Sequence, residues 1–351
     1  MGNIFIFFVD KFFYFVIIIW ESEALRVRLH GCIRFYFGFL FWFLAFAFTS
    51  AFYGDFKGDK MELLIVAMVV LYTLQSLLTK KYVDHYPGNE NMASSVFTIV
   101  SGGVVVIVSL CFMGFRFDAR WETLLLGVIN AVVITLYNYF IVKTAQTGPY
   151  TILMVFSIAG GIIIPTVQAG IFFGQEISWL KWVATGIVLI AVFLMSYRGG
   201  GTANWKAVFI PCCFGLAFAN GAYGAILNTQ QELTGEAEKE ELIAVTYCLA
   251  AIASFVIFLI KEKGNLSGFK QTKPSLIYLL TCSVIVALAI NVLTVLIHVM
   301  EDLTALYTFD NAGTLLLSVI CSIIFFKERP SPINLVGCGI MCGALVMISV
   351  V

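Results

Sequence analysis

Residues 150–173, YTILMVFSIAGGIIIPTVQAGIFF, and residues 303–326, LTALYTFDNAGTLLLSVICSIIFF, align without a gap at an offset of 153 positions. The alignment pairs Thr151 with Thr304 and the Ala-Gly at 159–160 with the Ala-Gly at 312–313. Both segments also end in Ile-Phe-Phe. Apolar helices often match by chance, but a threonine and a glycine in register are harder to dismiss. The pattern therefore predicts an internal repeat.

The same offset relates residues on both sides of this pair of segments. It places Asn138 on Asn291, and Gly186-Ile187 on Gly339-Ile340. We therefore predict a first repeat over residues 61–200 and a second over residues 201–351.

The composition excludes a soluble protein and favours an all-α integral membrane protein. Hydrophobic residues make up 60% of the 351 residues and charged residues 12%, against about 25% charged residues in a soluble domain. Apolar stretches of about 20 residues, the length of a membrane-spanning helix, recur between short polar connections. We place five near 62–80, 93–115, 121–142, 149–173 and 178–197, and five more near 205–228, 242–260, 275–299, 303–326 and 331–351. The prediction is ten transmembrane helices in two five-helix repeats, and an odd number of helices per repeat gives the inverted arrangement found in many secondary transporters.

Residues 1–60 form a Phe-rich extension that has no counterpart in the repeat. Its two apolar runs, Ile4 to Trp20 and Phe35 to Tyr53, predict either extra helices or a signal-like segment. The alternative is a misassigned start, with the native chain beginning at Met61, which opens the first predicted helix.

Short motifs follow the fourth and ninth predicted helices. They read Phe173-Gly174-Gln175-Glu176 and Phe326-Lys327-Glu328, and glycine-bearing stretches at 182–186 and 337–339 come next. Together with the repeat of five helices, these features resemble the EamA-type branch of the drug/metabolite transporter superfamily over residues 61–351. Two positions depart from that family: Lys327 replaces the usual glycine, and in the ungapped register Glu328 pairs with Gln175 and not with Glu176.

The resemblance implies a carrier that works by alternating access through a central cavity between the repeats. It further implies a small-molecule substrate such as an amino acid, an amine or a related compound, with efflux across the cytoplasmic membrane. A coupling proton or cation, membrane lipids and a second copy of the chain in a homodimer are the partners consistent with this reading. Fold analogy gives the class of reaction and does not name the substrate.

Asp310 is the clearest candidate for substrate or ion binding, because an ionisable side chain within a membrane helix costs about 2.5–3.5 kcal/mol to insert. Its functional reading is a cation or proton site, with the neighbouring Asn311 orienting the substrate. The alternative is a carboxylate near the water interface that only hydrogen-bonds within the bundle.

Further polar side chains are candidates for the wall of the cavity. Asn138 and Asn291 occupy matching places in the third and eighth helices, where they either line the cavity or join helices. Tyr72 with Gln75 in the first helix, and Asn220 with Tyr223 in the sixth, are each spaced to share one helical face. The alternative for these pairs is ordinary packing.

Other classes of function fit less well. Lys plus Arg and Asp plus Glu number 21 each, with no basic stripe, so we expect no nucleic-acid partner. With three histidines and no CxxC pair, we expect no metal site and no cofactor. No convergent nucleophile and base is evident, so we expect no enzyme. A flippase for a lipid-linked substrate and a non-transporting membrane subunit remain as alternatives to the carrier.

Overall fold

The computed structural model of the protein describes residues 59–172, 174, 178–195, 206–234, 238–299, 303–328 and 331–350. Within these ranges the chain forms ten α-helices, one short 3-10 helix and no strand. In chain order the helices are α1 (Asp59–His85), α2 (Ala93–Phe112), α3 (Trp121–Thr147), α4 (Tyr150–Ile171), α5 (Trp179–Met195), α6 (Phe209–Thr234), α7 (Lys239–Lys261), α8 (Lys273–Val299), α9 (Leu303–Phe326) and α10 (Pro332–Val350). Every helix predicted between residues 62 and 351 is thus present.

The prediction for the N-terminal extension falls on residues that lie outside the described ranges, apart from Asp59 and Lys60 at the start of α1. Whether Met61 is the native start therefore stays a prediction. Gln175, Glu176 and Phe173 of the first motif also lie outside the described residues.

Long apolar segments become helices because a helix satisfies its own backbone polar groups where no water is available. Proline and glycine then set the helix ends. Extended backbone at Gly148 and Pro149 separates α3 from α4. Gly174 follows α4 with a φ of +60°, in the left-handed region that glycine enters at no steric cost.

Lys327 follows α9 in the same left-handed region, with a φ of +53°. It lies 153 positions after Gly174, so the two repeats share this backbone turn although only one has glycine there. A side chain in this conformation costs about 1–2 kcal/mol. Lys327 therefore adopts the backbone conformation that Gly174 has in the first repeat.

Helices of the two halves are interleaved. The pairs α2 with α7, α4 with α9, and α5 with α10 each join helices in equivalent places of the two halves. α1 packs against α8 and α9, and α6 correspondingly packs against α3 and α4. Contacts of α3 with α7 match those of α8 with α2. The main interfaces thus recur when the two sets of five helices are exchanged.

Apolar side chains lie on both the inside and the outside of the bundle. One buried cluster contains Met68, Phe97 and Leu279, and a second contains Phe156 and Met341. Large apolar side chains also cover the exterior, among them Ile129, Val132, Leu189, Ile190, Phe193, Phe214, Phe218, Leu335 and Val336. An apolar exterior of this extent is suited to a lipid environment.

Seven helices of the described chain, α1 to α4 and α6 to α8, are long and apolar enough to cross a membrane. The described apolar parts of the other three are shorter: Trp179–Leu194, Asp310–Phe326 and Pro332–Leu345. The chain is a multi-pass membrane protein.

α4 and α6 cross at glycines. A Cβ atom built on Gly160 would overlap the backbone of Ala217, and one built on Gly221 would overlap the carbonyl oxygen of Gly160. Small residues allow such close backbone approach between membrane helices. Along the same interface the amide Nδ2 of Asn220 donates to the carbonyl oxygen of Ser157 at 2.8 Å. α4 of the first half and α6 of the second are therefore closely packed along this interface.

Candidate functional site

A cavity of about 460 Å³ lies between the two halves. Its wall comes mainly from α1, α3 and α4 of the first half and α6, α8 and α9 of the second, with single residues from α5, α7 and α10. Six of the eight residues predicted for the site lie on this wall: Tyr72, Gln75, Asn220, Tyr223, Asp310 and Asn311. Residues predicted on three different helices thus lie on the wall of one cavity.

Asp310 lies on α9 and is half-buried. Its Oδ1 accepts a hydrogen bond from the hydroxyl of Thr314, one turn further along the helix, at 3.3 Å. The two ion pairs among the described residues lie elsewhere, between Arg120 and Glu238 and between Lys206 and Glu90. Within the described part of the chain, no cationic side chain forms an ion pair with the carboxylate of Asp310.

Asn138 and Asn291 do not line the cavity. Their exposed fractions are 6% and 4%, and Nδ2 of Asn291 donates to the carbonyl oxygen of Ala287 in its own helix at 2.7 Å. In α3 the cavity face is formed by Ile134, Tyr137 and Ile141. Successive residues of a helix are rotated by about 100°, so Asn138 points away from that face. The matching positions of the two asparagines reflect the repeat and not a shared place on the wall.

Sequence reasoning missed two tyrosines of the wall, Tyr137 on α3 and Tyr247 on α7. The i, i+3 pair that begins at Asn220 also continues along α6 through Leu227, Asn228 and Gln231, all on the wall. The periodicity of this face was a usable signal. No such signal marks Tyr247, which is the single contribution of α7.

At one end of the bundle, the carboxylate of Glu328, just after α9, joins the two halves. Oε1 of Glu328 accepts the backbone N–H of Tyr150 at 2.6 Å, and Oε2 accepts the N–H and the hydroxyl of Thr151, each at 3.2 Å. These donors belong to the first turn of α4, whose N–H groups have no partner within the helix. We call this set of hydrogen bonds the Glu328 contact. It joins a helix of the second half to a helix of the first.

Lys80, near the end of α1, reinforces the same end. Its Nζ donates to the carbonyl oxygen of Ala145 at 2.7 Å and to that of Gly148 at 3.4 Å, where α3 terminates. The same Nζ lies 5.7 Å from the ring centroid of Phe326 at the end of α9. Lysine at the C-terminus of a helix also interacts favourably with the helix dipole. Four helix ends thus meet in one polar layer.

The opposite end of the cavity is lined by polar side chains that reach the exposed surface. Asn228, Gln231 and the exposed Glu232 continue the wall along the last turns of α6, and Lys181 contributes from α5. The polar character of this end suits an entrance for a hydrophilic or charged molecule.

Outside the membrane-spanning segments, a buried carboxylate joins α3 to the connection before α7. Glu238 accepts the hydroxyl of Thr123 at 2.6 Å, the backbone N–H of Arg120 at 2.9 Å and its guanidinium Nε at 2.7 Å. The hydrogen bond from Thr123 and the bonds and charge of Arg120 outweigh burial and hold the pKa of Glu238 below its ordinary value. Among the described residues, no group of three or more His, Cys, Asp or Glu side chains converges.

No family model matches the sequence, and no curated protein matches it. A crystal structure described only as that of a protein is similar to the chain, with a TM-score of 0.58 and 13% sequence identity. The match covers 84% of this chain and 99% of the solved chain. At this identity the likeness shows the fold alone: the arrangement of helices described above also occurs in another solved protein.

Proposed function

We propose that the chain is a secondary transporter that moves a small metabolite across the cytoplasmic membrane by alternating access, as in the EamA-type carriers that its sequence resembles. In this proposal all ten helices span the membrane as two inverted repeats of five. The observation that carries the proposal is the cavity, because its wall is shared by both halves and contains an intramembrane carboxylate.

Alternating access requires one end of the cavity to be closed while the other admits substrate. In this proposal the closed end is the one where the Glu328 contact and Lys80 join helices of the two halves. The interleaved helix contacts support the rest of the mechanism, because two equivalent halves can exchange their arrangements and so close the opposite end. An enzyme would require reacting groups held together, and the proposal gives Asp310 a binding role instead.

Counterflow in proteoliposomes tests the proposal. Vesicles preloaded with one unlabelled compound from a panel (phenylalanine, lysine, phenethylamine, putrescine, uridine or glucose) are diluted into a trace of the same radiolabelled compound. We expect accumulation of at least one compound by wild type, loss of that accumulation in Asp310→Asn, and no loss in Glu90→Gln, whose carboxylate is 68% exposed.

Flipping of a fluorescent phospholipid is measured in parallel vesicles. Lipid scrambling that depends on Asp310, without counterflow of any soluble compound, would favour the flippase alternative. Absence of both activities in folded protein would favour the non-transporting subunit.

A further inference from the structure

Among the residues that the structure describes, four tyrosines line the cavity. Tyr72 comes from α1, Tyr137 from α3, Tyr223 from α6 and Tyr247 from α7, so the rings approach the same space from both halves. The face of an aromatic ring attracts a cation within about 6 Å, and the attraction grows when the cation is removed from water.

The charges on the wall have the sign that a cation requires. Of the described wall residues, Asp310 and Glu232 are acidic and Lys181 is basic. Glu232 and Lys181 belong to the polar entrance, whereas Asp310 lies on α9 without an ion pair among the described residues. A carboxylate inside a membrane protein is usually paired. A cationic substrate would supply the missing partner.

Apolar side chains make up much of the rest of the described wall, beside uncharged polar ones such as Gln75, Asn220 and Asn228. The apolar ones include Ile134, Ile158, Ile162, Ile290, Leu293 and Val286. Such a wall favours a molecule with a hydrocarbon body over a sugar, which needs a polar partner for each hydroxyl group. An anion, or the carboxylate of a zwitterion, would lie near Asp310 without a described basic partner in the interior. The volume of about 460 Å³ is in the range for small-molecule sites.

We propose that this cavity binds monovalent organic cations with an apolar body, such as aryl or alkyl amines and quaternary ammonium compounds. Asp310 pairs with the positive charge, and the tyrosines surround the charged group and the carbon atoms next to it. This inference rests on the proposed function, since it names the class of molecule that the transporter would move.

Trimethylphenylammonium is the probe, and tert-butylbenzene, of nearly the same shape without the charge, is its matched control. Benzoate and phenylalanine represent an anion and a zwitterion. Thermal unfolding of the detergent-purified full chain is followed with each compound. We expect a rise in unfolding temperature that depends on concentration with trimethylphenylammonium and no comparable rise with the other three. This comparison uses wild-type protein, so it needs no variant to fold.

Variants then assign the residues. Asp310→Asn should weaken binding of trimethylphenylammonium by roughly tenfold or more, because the charge partner is lost. Tyr223→Phe should bind within about threefold of wild type, and Tyr223→Leu should bind roughly tenfold more weakly, because only the leucine variant lacks the ring. Tyr139→Leu is the control, since Tyr139 is exposed on α3 and is not on the wall.

Equal stabilisation by tert-butylbenzene would overturn the requirement for charge. Binding of benzoate or phenylalanine that depends on Asp310 would overturn the class of substrate and leave transport intact. If none of the four compounds binds, the inference fails. Counterflow then separates the two proposals: transport of any compound of the earlier panel keeps the proposed function, whereas absence of transport removes both.

Discussion

Replacing Glu328 by glutamine should weaken the closed end of the cavity. The substitution keeps one acceptor oxygen for the N–H of Tyr150 but puts an amide donor against the two donors of Thr151. Hydrogen bonds to a charged group contribute about 1.5–3 kcal/mol, and a negative charge at a helix N-terminus about 0.3–1 kcal/mol. We expect a loss of about 2–3 kcal/mol, or roughly 30- to 140-fold in the equilibrium between closed and open ends.

The assay is the rate at which a membrane-impermeant maleimide labels a cysteine placed at Ser76, in a background without the nine native cysteines. Ser76 is 6% exposed and lies on the cavity wall, one turn from Lys80. Right-side-out and inside-out vesicles are compared, so that the reagent reaches each end in turn.

From the Glu328 side, we expect labelling to be roughly 30-fold or more faster in Glu328→Gln than with Glu328 intact, because only the open population reacts. The control is Glu90→Gln, which alters an exposed carboxylate 3.8 Å from Nζ of Lys206 and should not change the rate. If the folded Glu328→Gln variant is labelled at a rate within twofold of that of the protein with Glu328 intact, the reasoning is refuted.

Three further predictions concern stability, each measured by unfolding in one detergent. Gly160→Ala should lower the free energy of unfolding by about 1–3 kcal/mol, because the added methyl group meets the backbone of α6. Gly339→Ala should be neutral or slightly stabilising, because nothing lies within 4 Å of the added methyl group. A comparable loss in both would contradict the tight crossing. Lys327→Gly should raise the free energy of unfolding by about 1 kcal/mol, because glycine adopts the left-handed conformation without the steric cost. A lower free energy of unfolding would show that contacts of the lysine side chain outweigh this cost. Glu238 has a lowered pKa in the folded chain, so its stabilisation is present above the ordinary carboxyl pKa of about 4.3 and is lost as pH falls through the folded value. Glu238→Gln should therefore lose less stability than wild type as pH falls below about 5. An equal loss of stability in the variant and in wild type would contradict a stabilising role for the charge of Glu238.

The positions of the helices followed from the sequence because proline, glycine and charged residues separate apolar stretches of membrane length. The repeat was also visible, and the structure adds that Gly174 and Lys327 share a left-handed backbone. The ungapped register pairs Glu328 with Gln175, which lies outside the described residues. Whether Gln175 makes a contact equivalent to that of Glu328 stays a prediction.

The face that each helix turns to the cavity was harder to predict. A membrane helix is apolar on its lipid side and on its packed side, so hydrophobic periodicity does not identify the inner face. Asn138 was favoured because it is polar, yet its neighbour Tyr137 lies on the wall. The Glu328 contact depends on the end of α9 meeting the start of α4, which are far apart in sequence. Such a meeting is a property of the tertiary arrangement, and no local pattern encodes it.

The interleaving of the two halves has a consequence for biosynthesis. Of the described helices, α1 emerges from the ribosome before the others, but its main partners, α8 and α9, are made near the end of the chain. Until α8 and α9 are synthesised, part of the final interface of α1 is therefore covered by lipid. We expect the two halves, when made as separate polypeptides, to accumulate stably only when they are produced together in the same membrane.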